Sequence, residues 1–512
     1  MFQAKEGVLI PTQEFEIDTD VVVVGSGPGG AVVAEKLSSY GIKVVVLEEG
    51  DYVKAEDLPK SRNERPLHAF QKVYRNGGLT VAFSTLPGRP PVPIPLGIGV
   101  GGSSLINSGT ALRANPETFE KFKNFGINIS YDDIEPFYEE VERFLNVSPV
   151  SEEILGVHGR VFLDAAKRLG FSSGPLTRNM RGCKGCGQCQ YICPENAKLA
   201  MHISYIPKAI RQGAKVIVRS KVSKVIIHNG RAVGVEGEAK VPKEEGGFLK
   251  FKFRVFARAV VLSAGAIYTP HILKKSGINS PACGKYLTIH PGIRVSALFD
   301  FKINQWLGVP QGYFVDEFKK YGIMIEGVAV PPLVGAMTLP FFGKKFKDLI
   351  EKYAYVMSTG VMVSDSTFGK VLSLPFYDEP IMIYNLSKKD AENFKLAIYY
   401  AAKIFAEAGA KKIFPHIFGA DEITPDEIEK LKDMRVKPSY LEPMAFHPLG
   451  TCRMGKSEFF SVVDENCKHH SVENLFISDG SIFPVPLGVN PQLTIMAFSS
   501  RTAKFIAEQY FS

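Results

Sequence analysis

The chain contains 512 residues, of which 45% are hydrophobic and 22% charged, and its formal net charge is +8. This length is too great for one compact core and predicts two or more domains. The basic residues are interspersed with acidic ones, which favours a solvated mixed-charge surface and argues against a nucleic-acid-binding protein.

The N-terminal twenty residues contain no basic region followed by an apolar stretch, so no secretory signal is predicted. No apolar run is long enough to cross a bilayer. The cysteines number seven, and an odd number argues against the disulfide framework of a secreted protein. We therefore expect a cytoplasmic protein without a transmembrane segment.

Residues 20–50 predict a strand, a glycine-rich turn, a helix and a second strand. The apolar run 21–24 is typical of a buried parallel strand, and residues 43–47 supply the second strand. Between them a G-x-G-x-x-G motif lets the backbone turn tightly and approach a pyrophosphate at the helix N-terminus, where exposed N–H groups favour anions. Glu48 ends the second strand and is suited to accept hydrogen bonds from ribose hydroxyls. The motif glycines are Gly25, Gly27 and Gly30.

An acid at position 48 disfavours a 2′-phosphate, so the predicted ligand is FAD or NAD(H). Later segments bear on that choice. Residues 99–116 form a second glycine-rich loop, in which small residues and hydroxyls can approach a bulky planar ligand. Residues 257–278 predict a buried strand and a helix. The C-terminal segments 445–455 and 474–509 supply a strand, an Asp-Gly turn and a long amphipathic helix.

In this order the motifs resemble the glucose–methanol–choline (GMC) oxidoreductases, from the first strand to the C-terminus. The resemblance implies an α/β protein, α+β overall, with a Rossmann-like FAD-binding domain and a substrate domain built on an antiparallel sheet. We expect a discontinuous FAD-binding domain over 1–125, 200–285 and 440–512. A connecting segment, 126–199, carries a cysteine cluster, and 286–439 form the substrate domain.

The resemblance also implies cofactor contacts by position. Family members that bind flavin covalently carry a histidine just before the asparagine of the glycine-rich loop. Ile106 stands at that position here, so we expect FAD to be bound without a covalent link. The positions that match the family's FAD-binding residues are Gly25, Gly27, Gly30, Glu48, Gly102, Ser103, Asn107, Val222, Asp479 and Gly480.

Oxidation of an alcohol by a flavin requires a base for the hydroxyl proton and a polar group that fixes the hydroxyl. His447 stands where the family places its catalytic histidine, and Asn490 where it places a His or Asn partner. The resemblance therefore implies His447 as base and Asn490 as the orienting residue. Asn490 followed by Pro491 also predicts a helix N-cap. His290 is expected to be structural, near a domain boundary.

A dense cysteine run has the C-x2-C-x2-C-x3-C-P spacing of bacterial ferredoxins. Zinc sites usually separate two C-x2-C pairs by a longer gap, and disulfides are unusual in a reduced cytoplasm. Thiols that bind nothing, in a loop marked by glycines, are a further alternative. The candidate metal ligands are Cys183, Cys186, Cys189 and Cys193.

A single iron–sulfur cluster leaves its fourth ligand open, since the fourth cysteine of such a run serves a second cluster in two-cluster ferredoxins. The cluster would use three of these thiolates, or Cys193 as a fourth. A remote thiol from Cys283, Cys452 or Cys467 is another choice.

Residues 183–218, 462–467 and 489–497 resemble a branch of the GMC family, the catalytic subunits of bacterial FAD-dependent hexose and polyol dehydrogenases, which hold an iron–sulfur cluster. The resemblance implies a [3Fe-4S] or [4Fe-4S] cluster that passes electrons singly to a carrier protein or small subunit. Export in complex with such a partner is then an alternative to a cytoplasmic location.

The leading interpretation is an FAD-dependent dehydrogenase of a small-molecule alcohol, sugar or polyol, with hydride transfer to flavin N5. Two alternatives stay open. One is an oxygen-using alcohol oxidase with structural cysteines. The other is a subunit in which flavin and cluster only relay electrons.

Overall fold

A computed structural model describes residues 1–339 and 341–511 of the chain. Within these residues the strands are β1 Phe2–Lys5, β2 Val8–Pro11, β3 Phe15–Val24, β4 Val44–Leu47, β5 Val81–Phe83, β6 Val92–Pro93, β7 Val147–Pro149, β8 Ser173–Pro175, β9 Thr177–Asn179, β10 Lys215–Ile217, β11 Ser220–His228, β12 Arg231–Pro242, β13 Phe248–Leu262, β14 Lys285–Leu287, β15 Gly292–Leu298, β16 Tyr313–Val315, β17 Ile323–Gly327, β18 Val356–Val363, β19 Gly369–Leu372, β20 Ile381–Ile383, β21 Lys412–Phe414 and β22 Leu475–Ile477. The α-helices are α1 Pro28–Ser39, α2 Arg65–Val73, α3 Pro116–Phe122, α4 Tyr131–Phe144, α5 Glu152–Arg168, α6 Tyr205–Arg211, α7 Gly265–Lys275, α8 Pro332–Ala336, α9 Gly343–Glu351, α10 Lys388–Glu407, α11 Lys430–Asp433 and α12 Gln492–Tyr510.

The largest sheet has nine strands in the order β1-β2-β10-β4-β3-β13-β12-β11, and β22 also pairs with β13. Strand β3 runs parallel to β4 on one side and to β13 on the other. Helix α1 contacts both α12 and α6. Parallel strands are covered on both faces, which explains why the valines of residues 21–24 form a continuous apolar run with no polar alternation.

The predicted first strand is longer in the structure than the apolar run suggested. Strand β3 begins at Phe15, and its first residues pair with 253–257 of β13. That extension depends on a partner strand more than 230 residues away, so the local apolar pattern could not reveal it. The second strand, β4, and helix α1 lie where the sequence predicted them.

A second sheet is antiparallel and has six strands, in the order β21-β15-β18-β17-β16-β8. Residues on one face of its central strands are apolar and belong to a hydrophobic core that includes α10. Residues on the other face include Arg294, Gly360 and Glu326, which line a cavity. This alternation is typical of a sheet with two different environments. The predicted mixed α/β class with an antiparallel second sheet is confirmed.

The cysteine run lies outside these two sheets, in a loop that contains the short 3-10 turn Cys189–Tyr191. The predicted domain boundaries stay a prediction, although two large hydrophobic cores are centred on the nine-stranded and six-stranded sheets. Across the described residues, every helix is too short or too polar to cross a membrane.

Candidate active site

One cavity of about 1830 Å³ is lined by residues of both the nine-stranded and the six-stranded sheets. Ligand pockets commonly measure about 300–1,000 Å³, so this space is large enough for a dinucleotide together with a substrate. The cavity walls include the glycine-rich turn at 25–29, the second glycine-rich loop at 102–108 and the residues around His447. The sequence motifs that were separate along the chain therefore face one space.

The first glycine-rich turn brings backbone to the cavity wall immediately before helix α1. Gly25 has φ +95°, and a Cβ atom there would lie 2.4 Å from the carbonyl oxygen of Ser263. Gly27 also lines the cavity, whereas Gly30 does not. A Cβ atom on Gly30 would lie 2.0 Å from the carbonyl oxygen of Gly25, so this glycine allows close helix–strand packing. Two of the three motif glycines are thus placed for direct contact with a ligand.

Glu48 is buried at the end of β4 and lines the cavity. Its carboxylate accepts hydrogen bonds from the Ser26 hydroxyl at 2.6 Å and from the Gly50 N–H at 2.9 Å. Burial raises the pKa of Glu48, and the hydrogen bonds from Ser26 and Gly50 oppose that rise. The protein donors hold the carboxylate in one orientation at the position expected for ribose recognition.

The second glycine-rich loop closely approaches the first. Gly102 has φ +53°, and a Cβ atom there would lie 2.9 Å from the Cα atom of Gly27. The Ser103 hydroxyl accepts a hydrogen bond from the Gly97 N–H at 3.1 Å. The side-chain amide of Asn107 donates to the Gln492 side-chain oxygen. The glycines therefore allow the two loops to come into contact at the cavity wall, where a larger side chain would not fit.

The remaining predicted cofactor residues also line this cavity, and they are Val222, Asp479 and Gly480. Asp479 is buried and accepts hydrogen bonds from the N–H groups of Gly265 and Ser481, at 2.9 Å and 2.8 Å. Burial raises the pKa of Asp479, while these donors favour its charged form. The cavity size and the side-chain-free glycine walls fit FAD.

His447 and Asn490 lie 43 residues apart in the chain and meet in the cavity wall. The Nε2 atom of His447 is 3.3 Å from the side-chain nitrogen of Asn490. Burial lowers the pKa of His447 to about 4, so its imidazole is neutral at pH 7. The Nδ1 atom of His447 and the Oδ1 atom of Asn490 are buried without a hydrogen-bond partner among the described residues. Both residues line the cavity, and each has one polar atom whose hydrogen-bonding capacity is unmet within the described chain.

The predicted N-cap role of Asn490 is wrong. Helix α12 begins at Gln492, and Pro491 occupies the N-cap position. The Asn490 side chain is directed at His447 and Glu326 instead of the helix backbone. The prediction failed because the Asn-Pro pattern describes local backbone preference, whereas tertiary contacts decide where the amide points.

Glu326, on strand β17, is a site residue that the sequence analysis missed. Its Oε2 atom accepts hydrogen bonds from the Asn490 amide at 3.4 Å and the Gln311 amide at 3.2 Å. Its Oε1 atom is buried without a partner among the described residues. Burial raises the pKa of Glu326 to about 7. The available signal was one acid within the apolar strand sequence IMIEG.

His290 was expected to be structural, and the structure places it in the cavity wall. Its ring centroid is 5.7 Å from that of His447, and its Nε2 atom accepts a hydrogen bond from the Gly488 N–H at 3.1 Å. Burial lowers the pKa of His290 to about 3, so this ring is neutral as well. The sequence gives no measure of the distance between His290 and His447, so it could not indicate that the two rings lie together.

The four cysteines of the dense run line a second, small cavity, which we call the cysteine cavity. Cys283, Cys452 and Cys467 do not line it. In the described part of the chain, no group of three or more His, Cys, Asp or Glu side chains is arranged to hold a metal ion. An iron–sulfur cluster bound by Cys183, Cys186, Cys189 and Cys193 therefore stays a prediction.

Two buried cations connect the cysteine cavity to the second glycine-rich loop. The Arg178 guanidinium lies 3.1 Å from the sulfur of Cys189 and donates to the Ser108 carbonyl. The Lys198 ammonium donates to the carbonyls of Cys189 and Asn107, each at 2.8 Å. Neither cation forms an ion pair with a carboxylate within the described ranges. The sequence contains no signal for these contacts, because basic residues in a polar segment usually face solvent.

Comparison with known families agrees with this geometry. A family model described as GMC oxidoreductase matches residues 70–292, and a second of the same description matches residues 376–499. A model described as FAD binding domain matches residues 18–65. A GMC-type oxidoreductase of Mycobacterium tuberculosis is 36% identical over 490 residues, which cover 94% of this chain and 75% of that protein.

More distant proteins are similar to this chain in sequence or in fold. A long-chain-alcohol oxidase of Arabidopsis thaliana is 27% identical over 511 residues, covering 94% of this chain and 66% of that protein. The crystal structure of pyridoxine 4-oxidase from Mesorbium loti has a TM-score of 0.72 at 19% identity, covering 96% of this chain and all of that one. A formate oxidase of Aspergillus oryzae has a TM-score of 0.74 at 18% identity, covering 98% and 99%. At these identities the two structures bear on the fold alone.

Proposed function

Because this chain belongs to the GMC oxidoreductase family, we propose that it is an FAD-dependent enzyme that oxidises the CH–OH group of an alcohol, sugar or polyol. The observation that carries the proposal is the pairing of His447 with Asn490 in the wall of the large cavity, at 3.3 Å. Bound FAD supplies the two-electron acceptor for the hydride. The protein itself must hold the substrate hydroxyl and remove its proton.

His447 is suited to be the base. Burial lowers its pKa to about 4, so the ring can accept a proton at neutral pH without first losing one. A hydroxyl placed beside its Nε2 atom would also lie within reach of the Asn490 amide, which would hold the oxygen in position. Glu326 hydrogen-bonds Asn490 from the other side and is proposed to be a positioning residue for that amide.

The residues proposed to hold FAD are those that line the cavity around the two glycine-rich segments. Gly25 and Gly27 offer backbone to the pyrophosphate at the start of α1, and Glu48 offers its carboxylate to the ribose. Asn107 and Asp479 are fixed by hydrogen bonds beside the expected flavin position. Since Ile106 precedes Asn107, we propose non-covalent binding.

This proposal is tested by anaerobic bleaching of the flavin in the purified holoenzyme. A panel of primary alcohols, sugars and polyols is added, and absorbance of oxidised flavin is followed. We expect at least one class to bleach the flavin in the wild type and to do so far more slowly in a His447→Ala variant. A flavin that no member of the panel bleaches would favour the electron-relay alternative.

For the onward path of the electrons, we propose an iron–sulfur cluster in the cysteine cavity. Four thiols line that cavity, and each is a thiolate when bound to iron. Arg178 and Lys198 lie beside Cys189 without a carboxylate partner in the described chain, so their positive charges would be offset by an anionic thiolate cluster. Bound there, a cluster would supply a one-electron carrier.

The alternative is an oxygen-using oxidase with structural cysteines, and the oxidase name of the Arabidopsis relative favours it. Iron analysis and an EPR spectrum of anaerobically purified protein separate the two. About three or four iron atoms per FAD and a cluster signal after alcohol addition support the relay to a carrier protein or small subunit. FAD without iron, together with rapid reoxidation by oxygen, supports the oxidase.

A further inference from the structure

Arg294, on strand β15, lines the large cavity, and the predicted catalytic and cofactor-binding residues are distant from it in sequence. One guanidinium nitrogen, Nη2, donates to the carbonyl of Thr338. Among the described residues the Nε and Nη1 atoms have no hydrogen-bond partner, and no carboxylate lies within ion-pairing distance. The cavity wall therefore contains a cation with N–H groups left free to bind a ligand.

The groups around this guanidinium do not supply a negative charge. Burial and, to a smaller extent, the charge of Arg294 lower the pKa of His416 to about 3, so that ring is neutral. Burial raises the pKa of Tyr353 to about 12, so its hydroxyl is neutral as well. Glu442 lines the cavity but is exposed and forms no ion pair with Arg294 within the described residues. A desolvated guanidinium without a counter-charge is costly, and a bound anion would remove that cost.

The strand register relates this cation to the proposed hydroxyl site. Arg294 lies opposite Gly360 of β18, and Gly360 in turn lies opposite Glu326 of β17. Neighbouring strands are about 4.8 Å apart, so the backbones at Arg294 and Glu326 are separated by roughly 10 Å. Gly360 has no side chain, and the side chain of Val328 lies over it. The proposed hydroxyl site and the cation therefore lie on one face of the sheet, on opposite sides of Gly360.

The large cavity is also lined by aliphatic side chains, which a ligand that spans from the hydroxyl site to Arg294 can contact. They include Val328, Val330, Val334, Met337, Met362 and Leu441.

We propose that Arg294 binds a carboxylate of the substrate, and that the preferred substrates are hydroxy acids with an aliphatic body between the reacting hydroxyl and the carboxylate. The inference rests on the proposed alcohol oxidation and names its substrate class. A planar guanidinium with free N–H groups matches the planar carboxylate, and such charge-assisted hydrogen bonds are among the strong ones. The aliphatic side chains of the cavity would contact the aliphatic body of the substrate, and His447 and Asn490 would contact its hydroxyl group.

The first test measures binding without catalysis. The FAD-loaded enzyme is titrated with decanoate, which has no hydroxyl to oxidise, and with its neutral analogue decanamide, and the flavin absorbance shift gives each Kd. We expect decanoate to bind more tightly than decanamide, and an Arg294→Met variant to raise the Kd of decanoate by about 10- to 100-fold. Equal binding of the two ligands, or an unchanged decanoate Kd in the variant, would overturn the proposal.

The second test measures substrate preference. In the wild type we expect kcat/KM to be higher for 10-hydroxydecanoate than for 1-decanol, and Arg294→Met to lower this ratio by about 10- to 100-fold. Arg294→Lys keeps the charge but not the planar fork, so it should retain part of the preference. A ratio that is the same in wild type and Arg294→Met contradicts the proposal. Decyl phosphate is included as a titrant, and binding tighter than that of decanoate would reject a carboxylate in favour of a phosphate.

Matched controls separate this inference from the proposed function. Arg160→Met removes an exposed arginine charge outside the cavity and should keep the wild-type ratio. If Arg294→Met fails to hold FAD, Arg294→Lys is used for the test. An Arg294→Lys enzyme with the same preference for the hydroxy acid as the wild type would contradict recognition by a planar guanidinium. If no alcohol bleaches the flavin but decanoate binding depends on Arg294, the alcohol oxidation fails and the anion site stands. If alcohols bleach it and decanoate shows no advantage, the function stands and this inference fails.

Discussion

Two regions of this protein contain an arginine without a carboxylate partner among the described residues, Arg178 buried and Arg294 partly buried, and they differ in what faces the charge. Arg178 lies 3.1 Å from the sulfur of Cys189, so the chain itself places potential anions beside it. Arg294 faces open space in the large cavity. Since a desolvated cation needs a counter-charge, the proposed occupant is a metal-bound thiolate group in the first region and an anionic ligand in the second.

The regions also differ in how the chain builds them. The cysteine cavity takes its four sulfurs from eleven consecutive residues, 183–193, so their proximity follows from short loops. The large cavity combines the register of β15, β17 and β18 with loops near both ends of the chain. A local sequence motif is therefore enough to indicate the cysteine cavity, whereas the residues of the large cavity can be identified only from the three-dimensional structure.

The largest expected effect concerns the large cavity and should leave the cysteine cavity unchanged. His447→Ala should slow anaerobic reduction of the flavin by an alcohol by about 10²- to 10⁴-fold, because the proposed base is lost. Stopped-flow absorbance measures the rate, and the FAD and iron contents should match the wild type because neither proposed site contains His447.

The control for that experiment is His228→Ala, which removes an exposed histidine at the end of β11. It should reduce the flavin at the wild-type rate. A His447→Ala enzyme that does the same would remove His447 from the role of base.

A second effect concerns the acid in the large cavity. The folded-state pKa of Glu326 is raised from 4.5 to about 7, so its protonated form stabilises the fold fully below the unfolded pKa. That stability is lost as pH rises from about 4.5 through 7, by roughly 3 kcal/mol. Glu326→Gln cannot lose a proton, so its unfolding free energy in urea should fall less between pH 5 and pH 8.

Asp365 provides an internal reference in the same measurement, because burial raises its pKa to about 7 in both proteins. Its contribution cancels when the pH dependence of the variant is subtracted from that of the wild type. Parallel pH curves for the two proteins would show that Glu326 does not titrate in this range.

The third effect belongs to the cysteine cavity. Cys189→Ser should lower the iron content per FAD by at least about tenfold, because the substituted residue is a proposed ligand and lies beside both buried cations. The rate of electron transfer to a one-electron dye should fall relative to the rate of flavin reduction by the alcohol. Iron analysis and steady-state dye reduction measure the two quantities.

Cys467→Ser is the matched control, since Cys467 is buried but does not line the cysteine cavity. It should keep the wild-type iron content. Wild-type protein that holds FAD but no iron would refute the cluster. The counter-charge of Arg178 would then have to be a different anion.

The smallest expected effect concerns the strip of the sheet at Gly360, between Arg294 and Glu326. In Gly360→Ala the new Cβ atom would lie 2.6 Å from the Cγ2 atom of Val328, so a neighbour must shift. We expect a loss of about 1 kcal/mol in the free energy of unfolding, as for a mildly overpacked site. Urea unfolding of the FAD-loaded protein measures it.

Gly174→Ala is the control, because its Cβ atom would lie 3.4 Å from the Phe314 ring, an ordinary contact. Equal stabilities of the two variants would show that the strip at Gly360 can accommodate a methyl group.

By itself the sequence determined the family, the FAD-binding turn and the two strands around it. These features are local, because consecutive backbone atoms form the turn and short apolar runs form the buried strands. It also identified His447 and Asn490, through family motifs, and brought four cysteines into one loop. The roles of His447 and Asn490 and of the cysteines stay proposals.

The tertiary structure alone decided which side chains share the cavity. Glu326, Gly360 and Arg294 form one row only through the register of three antiparallel strands, and register depends on packing across the sheet. The same holds for His290 beside His447 and for Lys198 between Asn107 and Cys189. Most of these contacts join residues far apart in the chain, and none follows from a periodicity or spacing in the sequence.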